Sequence, residues 1–243
     1  MKVIACWNVK GGVGKTSVAV NLAYASAAAG RATLLWDLDE QGGSSRILGH
    51  EAIAPDRARR TSRLADHVHE DQWHGVSLVP ADALVHLLDR HDRPKRVREL
   101  VAGVADRFDR LILDCPPSLG HMSQQIIEAA DLIVVPVVPA TLARTAFTQL
   151  QALASERSDG GPALLPVHSL VDRRRGAHRA ALEAEPGWIA IPYSVAMEAM
   201  VDARQPIALA ASRSTVAEPL ARLADGVEKQ LRMLDRAAVR RAA

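Results

Sequence analysis

Lys10-Gly11-Gly12-Val13-Gly14-Lys15-Thr16 is the stretch whose reading decides the fold. It follows an apolar run, Val3-Ile4-Ala5-Cys6-Trp7, and precedes an alanine-rich helical pattern. The order is strand, glycine loop, helix. Glycines let backbone N–H groups close around phosphate oxygens, and the helix start adds the positive end of its dipole. Lys15 can reach the terminal phosphates of a nucleotide, and the Thr16 hydroxyl can ligate Mg²⁺. The alternative is a glycine-rich turn with two solvated lysines, which leaves the flanking strand and helix without a purpose.

The usual phosphate loop carries a glycine five places before Gly14. Here that place is Val9, and a second lysine, Lys10, stands at the loop entrance. This arrangement resembles the deviant Walker A motif of the ParA/MinD ATPases. The resemblance implies that Lys10 reaches the nucleotide of a partner subunit across a sandwich dimer.

Bulk properties set the frame. The 243 residues suit one α/β domain, residues 1–243, with a substantial core. Apolar residues make up 48%, which excludes disorder of the whole chain, and aromatics only 3%, so the core must rest on Leu, Ile, Val and Ala. A net charge of +2 does not by itself imply nucleic acid. The C-terminal helix and tail, about 215–243, are locally more basic. From Arg204 onward eight Arg or Lys stand against four acids, Glu218, Asp225, Glu228 and Asp235. Two cysteines, Cys6 and Cys115, are too few for a disulfide framework, and a reduced cytoplasm fits them. No CxxC pair offers a zinc or iron–sulfur site. No apolar run of about eighteen residues offers a membrane span. The first apolar run is short and broken by Asn8 and Lys10, so it reads as a strand rather than a leader, with no nucleic-acid-reading module expected ahead of it.

Short apolar runs alternate with helical patterns along the chain. Strands are expected near Lys2–Trp7, Thr33–Asp37, Gly75–Pro80, Arg110–Cys115, Leu132–Val135, Ala163–Val171 and Trp188–Ile191. Helices are expected at Lys15–Ala29, Asp82–Arg90, Pro94–Arg107, Gly120–Ala129, Thr141–Glu156, Gly176–Glu185 and Thr215–Leu234, the last followed by an arginine-rich tail. The stretch from Gly42 to Asp71 reads as polar and basic with short helical pieces. Apolar strands without alternation, separated by helices, mean an α/β fold with a mostly parallel, doubly wound sheet covered by helices on both faces.

Two strand ends supply acids. In Leu34-Leu35-Trp36-Asp37-Leu38-Asp39 the alternation puts Asp37 and Asp39 on one side of the chain, at the carboxyl edge where open α/β sheets bind ligands. Leu111-Ile112-Leu113-Asp114 ends an apolar run in an acid, the Walker B pattern, and Asp114 would hold Mg²⁺ through a water. A single strand-end acid often only caps the next helix. The pair in this order, after the loop, points to nucleotide chemistry.

The family resemblance extends through these segments. Asp37-Leu38-Asp39-Glu40-Gln41-Gly42 is similar to the switch I segment of ParA proteins, with Glu40 in place of a proline. Asp114-Cys115-Pro116-Pro117-Ser118-Leu119-Gly120 matches their switch II. Asp131-Leu132-Ile133-Val134-Val135-Pro136-Val137 resembles the strand that follows. Ile191-Pro192-Tyr193-Ser194-Val195 resembles the late adenine-side loop, with Tyr193 where Arg is common. The resemblance implies a P-loop ATPase of the deviant Walker A type, using ATP and Mg²⁺. Its nucleotide-binding residues would be Lys10, Gly11, Gly12, Val13, Gly14, Lys15, Thr16 and Ser17, and its metal site Thr16, Asp39 and Asp114. Asp39 would position the attacking water with Asp37 in support, beside Lys10 and Lys15. Asp172 and Pro192 would lie near adenine, although Asp172 reads equally as a strand-end turn residue.

The implied activity is an ATP-dependent dimerising ATPase that binds DNA without sequence preference and drives plasmid or chromosome partition. A ParB-like partner would stimulate hydrolysis. Such a protein would be cytoplasmic and nucleoid-associated. Candidate DNA contacts are Arg213, Arg222, Arg232, Arg236 and Arg240, with Arg173, Arg174 and Arg175 as a second cluster; any one of them also reads as a solvated helix face. Arg57-Ala58-Arg59-Arg60 is a third basic cluster, or only a surface loop. A MinD-like membrane switch would need an amphipathic C-terminal helix with bulky apolar residues. Leu231, Met233, Leu234 and Val239 offer little of that, and Leu231 and Leu234 are expected to pack on the domain. A cargo-positioning ATPase and a binder without hydrolysis are further alternatives, and Lys10 and Asp39 speak against the binder. Electron transfer of the nitrogenase-reductase kind needs two placed cysteines, which Cys6 and Cys115 do not supply.

Overall fold

The computed structural model describes residues 1–50, 63–81, 96–118, 120–139, 141–155 and 161–242. The chain begins with β1 (Lys2–Cys6), α1 (Lys15–Ala28), β2 (Thr33–Asp37) and a short α2 (Gly43–Ile47). A single 3₁₀ turn at Leu64–His67 leads into β3 (His69–Trp73) and β4 (Val76–Val79). Then come α3 (Arg96–Ala102), β5 (Arg110–Asp114), α4 (His121–Ala129), β6 (Leu132–Val137), α5 (Thr141–Ser155), β7 (Ala163–Val171), α6 (Gly176–Ala184) and β8 (Ile189–Pro192). The last described elements are α7 (Ala196–Ala203), α8 (Ile207–Ala210) and α9 (Ala217–Ala242).

The strands form one sheet in the order β3-β4-β2-β5-β1-β6-β7-β8. Every neighbouring pair is parallel except β3 and β4. Strand alternation sorts the core into two halves. Val3 and Ala5 of β1, with Trp7 just beyond it, join Leu34, Trp36, Leu111 and Leu113 on one face, under Val97, Leu100, Met122 and Ile126. Ile4 and Cys6 join Leu35, Leu78, Ile112 and Val134 on the other, under Val18, Leu22, Leu223 and Val227. The sheet is therefore covered on both sides, as near-continuous apolar strands require. Cys6 and Cys115 are both buried and free.

The elements that differ from the sequence expectation include β3, α7, the short α8 and the end of α9. β3, His-Glu-Asp-Gln-Trp, lies at the edge of the stretch read as polar. It is held by antiparallel pairing to β4 through the two-residue link His74-Gly75, both with positive φ (49° and 82°), the geometry of a type I′ hairpin. Trp73 supplies its anchor, buried and edge-on to Tyr24 at 6.3 Å. The helix α7 was not expected. Its Met200 is fully buried, and Arg204 closes it in the left-handed region. The arginine-rich tail is not a separate segment: α9 runs on helically to Ala242, in keeping with the helix-forming Ala and Arg of Arg236–Arg241. The helix expected at Asp82–Arg90, the first residues of that expected at Pro94–Arg107, and the cluster Arg57–Arg60 lie outside the described residues.

Among the described residues, no helix is long and apolar enough to cross a membrane. Leu231 is buried in the core and Leu234 packs against it, while Met233 and Val239 are exposed. Burying one leucine contributes about 1.5–3 kcal/mol, so α9 keeps Leu231 and Leu234 on the domain.

Candidate nucleotide site at the carboxyl edge of the sheet

The glycine loop leaves β1 at the carboxyl edge and turns directly into α1. Gly12 and Gly14 have φ of +70° and +88°, conformations that favour glycine. A Cβ on Gly14 would also come within 3.1 Å of Ser169 Oγ. Two residues outside the motif hold its shape. Asn8 donates through its amide to the carbonyl of Pro136 at 2.7 Å and accepts from the backbone N–H of Lys10 at 3.0 Å. Ser169, buried on β7, donates to the carbonyl of Val13 at 2.7 Å. Neither is marked in the sequence, because a lone Asn or Ser in or just beyond a strand carries no signal of its own.

Lys15 is buried, with its ammonium donating to the carbonyl of Lys10 at 3.1 Å. Burial lowers its pKa, partly offset by the charges of Asp114 and Asp39. Lys10 is exposed at the loop mouth, with Gly11 and Gly12, while Thr16 and Ser17 are half-buried.

The three acids converge here. Asp37 and Asp114 are register partners at the ends of β2 and β5, with Cys6 opposite Asp114 on β1. Their carboxylates do different work. Asp37 is fully buried and accepts three bonds: from Asp39 N–H at 3.1 Å, from Ser45 N–H at 2.9 Å and from Ser45 Oγ at 2.7 Å. Ser45 Oγ in turn accepts from Ala81 N–H at 3.2 Å. Asp37 is thus a strut that ties switch I to α2 and to the end of β4. Asp39 is half-buried, and its Oδ1 accepts from Gln41 N–H at 3.0 Å.

Asp114 is fully buried, and neither of its oxygens has a hydrogen-bond partner of normal geometry among the described residues. Burial, then the charge of Asp37, pushes its pKa up to about 8, against a weaker pull from the Thr16 and Ser44 hydroxyls nearby. The Ser44 hydroxyl is itself buried, with no hydrogen bond of normal geometry among the described residues. Buried polar groups are rarely left unsatisfied. A carboxylate and a Thr hydroxyl offer oxygens to a hard cation, and the buried lysine beside them offers its positive charge to phosphates.

Asp172 and Pro192 line a second region, a cavity of about 760 Å³ beside the edge strand β8, which they share with Arg173, Arg174 and Arg222. Arg174 grips Asp172 in a bidentate pair at 2.9 and 3.0 Å. That bond, joined by the Arg174 backbone N–H, holds the Asp172 carboxyl down at about 2. Asp172 therefore does act as a turn residue. Arg222 pairs with Glu218 at 3.6 Å along α9. Arg232 lies close enough to Glu228 to help lower its pKa. Arg173, Arg175, Arg213, Arg236 and Arg240 are exposed.

The parallel sheet, the glycine loop with its two lysines and the acids at the ends of β2 and β5 define a P-loop protein of the ParA/MinD type. A family model described as an AAA domain matches residues 1–157, and the chain belongs to that family. It is 35% identical over 151 residues to the chromosome partitioning protein ParA of Myxococcus xanthus, covering 56% of this chain and 52% of that protein. The chain thus spans about half the length of the curated relatives it matches. Among solved structures it is similar to cobyrinic acid a,c-diamide synthase from Mycobacterium smegmatis with bound ADP and magnesium, at 26% identity, 96% coverage of both chains and a TM-score of 0.74. The septum site-determining protein MinD from Pyrococcus horikoshii, complexed with Mg-ADP, shares the fold at 20% identity and a TM-score of 0.74, over 96% of this chain and 98% of that one.

Proposed function

We propose that this chain is a Mg²⁺-dependent ATPase of the ParA type. In this reading it dimerises on ATP, binds DNA without sequence preference, and is reset by hydrolysis that a ParB-like partner stimulates in plasmid or chromosome partition. The observation that carries the nucleotide chemistry is the buried carboxylate of Asp114, without a hydrogen bond of normal geometry among the described residues, beside the Thr16 hydroxyl and the Lys15 ammonium. Those residues suit Mg²⁺, which Thr16 would ligate and Asp114 would hold through a water, with Asp39 close by. The ion would neutralise phosphate charge.

The chain's own groups then divide the work. The N–H groups of residues 11–17 and the Lys15 ammonium bind the phosphates. Lys10, exposed at the loop mouth, is free to extend to a nucleotide in a second copy. Asp39 orients the attacking water, and Asp37 fixes the backbone that carries Asp39. Asp172 and Pro192 border the adenine end. Dimerisation doubles the arginines facing DNA, and each phosphate neutralised steepens the salt dependence by about one logarithmic unit. Arg173, Arg175, Arg213, Arg236 and Arg240 are exposed candidates with no carboxylate partner among the described residues, while Arg174, Arg222 and Arg232 would have to leave carboxylates first.

The test is co-sedimentation with DNA and, separately, with anionic liposomes, each with ATP, ADP or no nucleotide. DNA pelleting that requires ATP and falls with salt supports the reading. ATP-dependent pelleting with liposomes alone overturns it.

A further inference from the structure

A second cavity, about 390 Å³, lies at the opposite edge of the sheet from the glycine loop, between the last turns of α1 and the middle of α9. Arg110 begins β5 and Asp114 ends it, so the two sites are about 13 Å apart along that strand. The floor is apolar, with Leu22, Ile112 and Val227. The rim is not. Arg31, Arg110, Lys229 and Arg232 line the cavity, against two carboxylates, Asp225 and Glu228, an excess of two positive charges.

The cationic rim is organised. Arg110 makes a bidentate pair with Glu228 at 3.1 and 3.0 Å, and Arg31 reaches the same carboxylate at 3.1 Å. Two half-buried guanidiniums therefore share one counter-charge. Ser26 stands in the same wall, more than nine-tenths buried, and its hydroxyl has no partner among the described residues.

We propose that this cavity binds a small organic phosphate monoester with an apolar body. A phosphate monoester carries close to two negative charges at neutral pH, matching the excess on the rim. Guanidinium groups suit its planar pairs of oxygens, and the apolar body covers Leu22, Ile112 and Val227. This site does not depend on the nucleotide reading of the glycine loop.

Phenyl phosphate is the probe, titrated into isotopically labelled full chain and followed at individual backbone amides by NMR. Saturable shifts at Ser26, Arg31 and Lys229, with a midpoint below about 1 mM, are expected. Inorganic phosphate, without the ring, should bind there about tenfold more weakly. Ala25→Phe, which fills the cavity, should abolish the shifts, and Lys229→Glu, on the exposed rim, should weaken them several-fold without touching the core. Shifts confined to residues 10–17, no shift up to about 10 mM, or undiminished shifts in Lys229→Glu would overturn the proposal.

Discussion

Ser169 on β7 donates a 2.7 Å hydrogen bond to the carbonyl of Val13, so a strand two places from β1 in the sheet holds the middle of the glycine loop. Replacing it with alanine leaves a buried carbonyl without its donor. Ser169→Ala should cost about 1–2 kcal/mol in denaturant unfolding. It should also weaken nucleotide affinity about tenfold, since the loop no longer arrives shaped; a variant with unchanged affinity would show that the loop holds its form by glycine geometry alone.

Lys15→Ala should lower triphosphate affinity by at least about 100-fold, because the phosphates lose the buried cation that faces them. Fluorescent-nucleotide titration measures this directly. Affinity at the level of the unaltered protein would remove the loop from the nucleotide site.

Asp39→Ala should retain ATP binding while turnover falls about 100-fold or more. The backbone under it is held by Asp37 and Ser45 and should not move. With hydrolysis stalled, the dimer should accumulate on DNA in ATP. Normal phosphate release by this variant would assign the water to another group.

Glu228 links α9 to β5 and to Arg31 ahead of β2. Burial acts to raise its pKa, but the Arg110 hydrogen bonds and the charges of Arg110, Arg31 and Arg232 outweigh it, and the net shift is downward. A carboxyl with a lowered folded-state pKa stabilises above its unfolded value, near 4.5, and loses that contribution as pH falls through the folded one. Glu228→Gln should therefore cost about 1–2 kcal/mol at pH 7, less in high salt, and the gap to the unaltered protein should close as pH drops below about 4.5. A gap independent of pH would mean that the loss is one of packing.

Much of this was legible in the residues. Thr33–Asp37 and Ala163–Val171 match their expected strands to the residue; the first is an apolar run between polar ends, and the second is predominantly apolar despite Pro166, His168 and Ser169. The strand-end acids were legible for the same reason. β3 was not, since His-Glu-Asp-Gln carries no apolar alternation. Its signal was the His74-Gly75 pair between Trp73 and Val76, a hairpin cue that was read only as the start of the next strand. Asn8, Ser45 and Ser169 were invisible for a different reason. Each acts on a backbone group brought to it by topology, at separations of up to 156 residues, and nothing local marks it. The opposite roles of Asp37 and Asp114 also follow from three dimensions: one is bonded by Ser45, and the other has no hydrogen bond of normal geometry among the described residues.

The resting contact between the Lys15 ammonium and the Lys10 carbonyl has an energetic sequel. The cation that a nucleotide needs is already engaged, by the very residue that would reach toward a second copy. An ammonium has three donors and the Lys10 carbonyl takes one of them, so an incoming anion meets a cation that is already aimed and still has hydrogens to give. The backbone that carries Lys10 thereby also fixes where its neighbour's charge sits.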